Sequence, residues 1–287
     1  MKRIALILTV AMFAGPLALT AQSYSSSAPS VALEADPDGG GAAAASPMGG
    51  GGPEGPLSRF GIGAGISPLG IQLQAATNLA GHLNLRATGN FFNYSTTFTS
   101  SGITADAKLN LASAGVSADL YPFRSGFRLS PGVLFMNQNQ LTAATNVAPG
   151  TSFTLNGTTY YSANANSATG ATPVVGTGTL GLNTTKPAFT ATVGWGNTAR
   201  GDHHFSFPFD IGAAFVGAPS VKVNLSGWAC QDEAQTMCSN LADPNNPISV
   251  AVQSNLSTQV AKWTSDLNPL KTYPIVSVGV AYSFSVR

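Results

Sequence analysis

The sequence predicts an all-β protein, an eight-stranded antiparallel transmembrane β-barrel with long extracellular loops, one of which carries a short helix. The chain starts with an export signal, and no later stretch approaches the roughly 20 apolar residues that a membrane-spanning helix needs. A spanning structure would therefore consist of strands, which only a closed barrel permits. From Arg59 onward, apolar and small polar residues alternate with the period of two that is typical of strands.

The export signal comes first along the chain. Lys2-Arg3 precede an apolar run from Ile4 to Ala14, then Gly15-Pro16 and small residues up to Ala21, which predicts a signal peptide over 1–21 cleaved after Ala21. Residues 22–57 are Ser, Ala, Gly and Pro with a few acids. Such a segment buries too little apolar surface to fold, so we expect a disordered periplasmic linker, either a plain spacer or a contact to peptidoglycan or a partner. Residues 58–287 form the predicted barrel.

The composition separates this chain from ordinary soluble enzymes. Charged residues make up 9% of it, compared with roughly 25% in average globular domains. The formal net charge of +1 gives no reason to expect a nucleic acid as partner.

The last strand shows the two-sided pattern most clearly. Val276, Val278 and Val280 share one face, whereas Ser277 and Gly279 share the other. A soluble sandwich would bury the apolar face, whereas a membrane barrel turns it to lipid; an opposite face of Gly, Ser, Thr and Asn suits a narrow barrel interior. The eight predicted strands are 60–66, 69–77, 83–98, 103–121, 127–141, 187–195, 205–215 and 273–287.

The fourth strand contains a change of pattern. Its apolar residues include Leu109 and Leu111, then switch parity to Val116, Ala118 and Leu120, for which we predict a β-bulge near Ala112. The connections near 78–82, 122–126 and 197–202 are short, as periplasmic turns are, whereas 142–185 and 217–272 are long, as extracellular loops are.

The two long loops have recognisable contents. The first predicts a hairpin turning at Asn156-Gly157. The second holds Cys230 and Cys238, for which one local disulfide is expected in an exported chain. Asn246-Pro247 then predicts the start of a helix with apolar residues at helical spacing, lying either at the barrel mouth or in the lipid interface.

Four charged residues fall on the polar or small-residue faces of the predicted strands: Arg86, Asp119, Arg128 and Asp210. Charges inside a narrow barrel must pair, because an unpaired charge in a poorly solvated interior is costly. We expect an ion-pair core, with a conduction or binding path as the alternative.

Candidates for catalysis are few. His82, His203 and His204 could serve as a general base, but all three fall at predicted periplasmic turns. The sequence therefore predicts no catalytic, cofactor or metal site.

Several motifs together resemble a family of Gram-negative outer-membrane β-barrels of OmpA/OmpX size. They lie between about Arg59 and Phe284 and include Asp119-Leu-Tyr-Pro-Phe, Gly126-Phe-Arg-Leu and the final Tyr273-Pro-Ile-Val-Ser-Val-Gly-Val-Ala-Tyr-Ser-Phe. The resemblance implies an eight-stranded barrel without a catalytic motif.

The expected protein is a non-enzymatic barrel of the cell outer membrane with a structural or surface-interaction role. The alternatives are a narrow pore or carrier for a small apolar molecule, and an outer-leaflet lipid-modifying enzyme. The expected partners are outer-membrane lipids and the barrel insertion machinery; no nucleic acid and no cofactor are expected. The barrel is expected to be a monomer, and the sequence does not identify a ligand.

Overall fold

A computed structural model describes residues 55–123, 126–182, 187–199 and 204–286. The predicted signal peptide, nearly all of the predicted linker and His203 lie outside these residues. No helix among the described residues has the length and apolar character needed to cross a bilayer.

Within these ranges the elements are named in chain order. The strands are β1 (Arg59–Ser67), β2 (Gly70–Ala80), β3 (Leu83–Ser100), β4 (Ile103–Leu120), β5 (Phe127–Asn137), β6 (Gln140–Val147), β7 (Ser152–Leu155), β8 (Thr158–Ser162), β9 (Val175–Gly181), β10 (Ala188–Trp195), β11 (Phe205–Ser206), β12 (Phe209–Phe215), β13 (Ser220–Ser226), β14 (Trp228–Cys230), β15 (Cys238–Asn240) and β16 (Thr272–Ser285). The helix α1 (Pro247–Asp266) precedes a 3-10 helix (Asn268–Lys271).

Eight strands close into an antiparallel barrel. Each strand pairs with the next in the order β1, β2, β3, β4, β5, β10, β12, β16, and β16 pairs back with β1. The prediction of an eight-stranded antiparallel barrel is confirmed. The chain enters at the end where Leu57 N donates to Asn78 O, which we call the N-terminal end; the opposite end is the loop end.

Side chains alternate across the barrel wall as the strand pattern predicts. In β16, Ser277 and Ser283 are buried in the lumen, whereas Val276, Val278 and Tyr282 are exposed on the outside. The apolar faces therefore do not meet in a shared core, and the polar faces line the interior.

The bulge predicted near Ala112 is wrong. β3 and β4 pair without interruption from Leu83 opposite Leu120 to Ser100 opposite Ile103. The register shift in this region lies between β4 and β5, where Phe135 is the extra residue. The side chains of β4 continue to alternate between the two sides of the sheet through Ala112. What changes at Ala112 is which side carries the apolar residues: the lumen side at Leu109 and Leu111, and the outer side at Val116 and Leu120.

Ala112 marks the point where β4 changes partners. Residues 113–120 pair with β5, and residues 103–110 pair with β6. The predicted fifth strand, which ran to Leu141, is consequently divided between β5 and β6. Asn139 Oδ1 accepts a hydrogen bond from Ala112 N at 2.9 Å at this junction.

Beyond the barrel's loop end, the wall continues as an open sheet, which we call the extension sheet. It consists of residues 92–100 of β3 and 103–110 of β4, followed by β6, β9 and β13 in that order. The long 142–185 loop thus supplies two strands that lengthen the wall.

A second, four-stranded sheet and α1 accompany the extension sheet, and we call these three parts together the extension. The small sheet has the order β15-β14-β8-β7, and its β7–β8 hairpin turns at the predicted Asn156-Gly157, both with positive φ. Helix α1 begins where predicted, with Asn246 Oδ1 accepting from Ile248 N at 2.9 Å. The helix packs on β13 and on the small sheet. A buried apolar core joins these parts: Val147, Leu155, Tyr160, Val174, Ala229, Leu241, Val252 and Leu256.

Candidate functional site

The barrel interior contains a cluster of two arginines and two aspartates. Arg86 donates from Nε and Nη2 to the two carboxylate oxygens of Asp119, at 2.9 and 3.0 Å, and from Nη1 to Asp210 Oδ2 at 3.0 Å. Arg128 Nη2 donates to both oxygens of Asp210 at 2.8 Å. The structure thus brings all four predicted interior charges into one network with no net charge.

The cluster is buried, and all four of its residues are at most 4% exposed. Asp119 and Arg128 are both 0% exposed. Neighbouring polar groups complete its hydrogen bonds: Ser117 Oγ donates to Asp119 at 3.3 Å, and the carbonyl of Gly196 accepts from Arg128. Ion pairs buried to this extent hold their geometry, because breaking one leaves an uncompensated charge.

A short chain segment closes the N-terminal end of the lumen. Thr198 and Ala199 are buried, and Asn84 Nδ2 donates to Asn197 Oδ1 at 2.8 Å. A Cβ added to Gly61 would lie 1.7 Å from the carbonyl oxygen of Thr198. Only glycine leaves room on β1 for this segment.

The loop end of the lumen is closed by apolar side chains. A cavity of about 60 Å³ lies between these side chains and the charge cluster. Ser130 lines the cavity, and its buried hydroxyl has no hydrogen-bond partner among the described residues. A polar cavity of this size has room for ordered water. The apolar layer comprises Leu69, Leu134, Ala188, Ala214, Val216 and Tyr273.

The outside of the barrel carries an uninterrupted set of exposed apolar side chains, which we call the apolar belt. At the N-terminal end aromatic rings contact one another: Phe127 lies 6.3 Å from Trp195, and Phe205 lies 5.2 Å from Tyr282 between ring centroids. At the loop end, the exposed aromatic residues are Phe91, Phe135, Phe189 and Phe215. The aromatic residues thus form one ring around the barrel at each end. Between these two rings of residues lie exposed aliphatic side chains: Leu73, Val116, Leu129, Val193, Ile211 and Val278.

The apolar side of the sheet reverses in the extension. On the face that continues the lumen side, one row of paired residues across the five strands is apolar: Tyr94, Leu109, Leu141, Leu180 and Val221. The face that continues the outside of the barrel is polar there, with Ser95, Lys108, Thr142, Thr179 and Lys222 in one row. The extension sheet therefore presents its polar face outward, as a wall surrounded by water would.

The predicted disulfide is present, and it joins β14 to β15 through Cys230 and Cys238, eight residues apart. Next to it, Asp232 accepts hydrogen bonds from Thr236 Oγ1 at 2.6 Å, Thr236 N at 2.9 Å and Met237 N at 2.9 Å. These bonds, that of the Thr236 hydroxyl first, lower the pKa of Asp232.

The described histidines lie at the N-terminal end. The carbonyl of His82 accepts from Tyr121 N, and the ring of His204 stacks on Tyr282 with its Nδ1 3.0 Å from Ser283 O. Among the described residues, no three His, Cys, Asp or Glu side chains are grouped as metal ligands would be.

Sequence reasoning missed the amides that stand beside the charges in the lumen. Gln74 Oε1 lies 3.5 Å from Arg86 Nη1, and Gln72 Nε2 donates to Asn90 Oδ1 at 3.4 Å. Their alternation with Ile71 and Leu73 along β2 is the signal that could have placed them in the lumen.

Comparisons with known proteins give a distant likeness. No family model matches the chain, and no curated protein matches it. CarO of Acinetobacter baumannii is similar in structure, at 17% identity and a TM-score of 0.48, over 80% of this chain and 98% of CarO. CarO2 of the same organism gives 17% identity and a TM-score of 0.48 over 79% and 99%. A likeness this distant does not bear on function.

Proposed function

We propose that the chain is an outer-membrane β-barrel protein of OmpA/OmpX size, non-enzymatic, with a structural or surface-interaction role. The observation that carries the proposal is the apolar belt. Exposed Val, Ile and Leu side chains encircle the barrel between two rings of aromatic residues, which is the surface that lipid-embedded barrels present. In water so large an apolar surface would drive aggregation.

The height of the belt supports a bilayer as its surroundings. On β5 the outward residues from Phe127 to Phe135 are apolar. This stretch is about 26 Å long at roughly 3.3 Å per residue. With the strand tilt of about 40° found in such barrels it covers about 20 Å of membrane thickness, close to the usual apolar band.

The closed lumen supports a structural role over a pore. A conducting path would have to pass the apolar layer at Leu69, the buried Arg128–Asp210 pair and the segment at Thr198. Barrels of eight strands have interiors that side chains can fill. We therefore favour a barrel that does not conduct.

The extension supports contact at the cell surface. It has its own core, its own disulfide and a polar outward face, so it is a folded platform instead of a set of loose loops. In the proposed orientation the N-terminal end faces the periplasm. The insertion machinery and outer-membrane lipids are the partners that this placement calls for, with the barrel inserted as a monomer.

The enzyme alternative has less support. His82 and His204 lie at the periplasmic end in this orientation, away from the outer leaflet. The ring of His204 is engaged by Tyr282 and the Ser283 carbonyl, and a general base needs a nucleophile within reach.

Two matched variants test the proposal. Val278→Arg places a charge in the belt, where it costs roughly 2–4 kcal/mol at the bilayer midplane. Thr97→Arg places the same charge on the outward face of the extension. We expect the unmodified protein and Thr97→Arg to fractionate with outer membranes and to migrate faster on gels before boiling than after, and Val278→Arg to lose much of the fast form.

Recovery of the unmodified protein in the soluble periplasmic fraction would contradict the proposal. Planar-bilayer recordings check the closed lumen, and steady single-channel conductance by the unmodified barrel would count against it.

A further inference from the structure

We infer that the lumen-side face of the extension sheet binds a hydrocarbon chain of an outer-leaflet lipid; this rests on the proposed function. The part of this face in question, the hydrocarbon site, comprises Phe92, Tyr94, Phe98, Leu109 and Leu141. All five lie on the face of the sheet that continues the lumen side above the barrel.

The hydrocarbon site is the uncovered half of an apolar face. On β13, Val223 and Leu225 pack against the buried core that includes Val252 and Leu256 of α1. At the opposite edge, Tyr94 is 56% exposed, and Phe92 and Phe98 are 39% and 37% exposed. The helix thus leaves the β3 side of the sheet open.

The chemistry of this face suits an uncharged chain. Its inward positions on β3 from 92 to 100, β4 from 103 to 109, β6, β9 and β13 include aromatic, aliphatic, Gly, Ala, Ser and Thr residues and no charged one. All the charged side chains of these strand segments, Asp106, Lys108 and Lys222, lie on the outward face. A ligand recognised here would bind through apolar contact and not through an ionic headgroup.

The face is continuous with the lipid-facing belt across a low rim. The β1–β2 connection ends the wall at Gly70, where an added Cβ would lie 2.5 Å from Phe92 Cβ and from Phe91 O. Phe92 therefore lies directly on this rim. On the lipid side of the same rim, Ile66 is 66% exposed and Ile71 is 48% exposed.

The edge above the rim is open. β2 pairs with β3 up to Ile71 opposite Phe91, and beyond that point β4 is the one partner that β3 has within the described part of the chain. A chain that crosses the rim from the belt meets Phe92 first, then Tyr94 and Phe98, over about 20 Å of strand at roughly 3.3 Å per residue.

Other occupants fit the geometry less well. Gly55, the first described residue, lies at the opposite end of the barrel, where Asn78 Nδ2 donates to Gly55 O. A second copy in the same membrane has its β3 running the same way, so antiparallel edge pairing would require one barrel to be inverted.

Tryptophan quenching in lipid nanodiscs tests the site. Three variants each add one Trp: Tyr94→Trp in the hydrocarbon site, Ser95→Trp at the same height on the outward face, and Val278→Trp in the belt. The added fluorescence, taken as the difference from unmodified protein, is measured with phospholipids brominated in the chain and with the water-soluble quencher acrylamide.

We expect the brominated lipid to quench most of the added fluorescence of Tyr94→Trp and Val278→Trp and little of that of Ser95→Trp. Acrylamide should quench Ser95→Trp strongly and the other two variants weakly. Equal behaviour of Tyr94→Trp and Ser95→Trp would overturn the inference. Quenching of Tyr94→Trp only by a brominated fatty acid added from water would overturn the lipid source. Failure of the proposed function itself is recognised separately, because Val278→Trp would then escape the brominated lipid.

Discussion

Arg128 and Asp210 meet across the intervening strand β10, although β5 and β12 do not pair with each other. Both residues lie opposite the same residue of β10, Gly194. A Cβ on Gly194 would lie 2.4 Å from Asp210 Oδ1 and 3.2 Å from Arg128 Nε. The ion pair therefore occupies the space that a side chain at this glycine would fill.

Gly194→Ala should destabilise the barrel, because the added methyl group overlaps the carboxylate and the Phe209 carbonyl oxygen, 2.5 Å away. Overpacking of this kind typically costs about 1–3 kcal/mol. We expect a lower denaturant midpoint for loss of the fast-migrating form. Gly89→Ala is the matched control, since no atom of the described residues lies within 4 Å of a Cβ on Gly89. Equal midpoints for the two variants would contradict this account.

Asp210→Asn should cost more than a surface change, because it leaves the guanidinium groups of Arg86 and Arg128 with one carboxylate, that of Asp119. Breaking a buried pair costs roughly 3–5 kcal/mol. Asp106→Asn, on the exposed outward face of β4, should stay within about 0.5 kcal/mol of the unmodified protein. Urea-gradient gels on the folded barrel give both values, and a mild effect at Asp210 would show that water reaches the cluster.

Loss of the Cys230–Cys238 bond should loosen the extension and leave the barrel intact. The bond closes a loop of eight residues' separation, for which chain entropy gives about 2–3 kcal/mol. The double variant Cys230→Ser/Cys238→Ser is expected to be cut faster by protease between β14 and β15. Its heat-modifiable migration should be unchanged, and loss of the fast form would mean that barrel closure depends on the extension.

The Asp232 turn should depend on pH in one direction. Because its folded-state pKa is lowered, the turn's contribution to stability is present above the ordinary Asp value of about 3.9 and is lost as pH falls through the lower folded value. Protease cutting at the turn, measured with an acid-active protease, should rise only below that ordinary value. Asp232→Asn should remove this pH dependence, and an increase in cutting near pH 6 would point to another group.

The strands were predictable because their pattern is local. Val278 and Ser277 alternate along one strand, and the small-residue setting of Arg86 and Asp210 was enough to predict that they face the lumen. The meeting of Arg128 with Asp210 was not predictable, since it depends on strand register and on Gly194 between them.

The extension was harder to predict than the barrel. The Gly-rich β9 shows little alternation of apolar and polar residues. At Ala112 the apolar residues of β4 move to the other side of the sheet, and in the sequence this pattern looks the same as an extra residue inserted by a bulge. Only the unbroken β3–β4 register distinguishes the two.

The reversal at Ala112 also determines how deeply the protein can be immersed. On the outward side of β4, Val116 and Leu120 lie below this residue, and Lys108 and Asp106 lie above it. If the barrel sat deeper by two outward-facing residues of β4, Lys108 would reach the boundary of the hydrocarbon region. If it sat higher by the same amount, Val116 would be exposed to water. Vertical drift in the bilayer is thereby limited to less than two outward positions, which are about 13 Å along the strand at roughly 3.3 Å per residue. The rim at Gly70 is consequently held within this range of heights relative to the lipid headgroups.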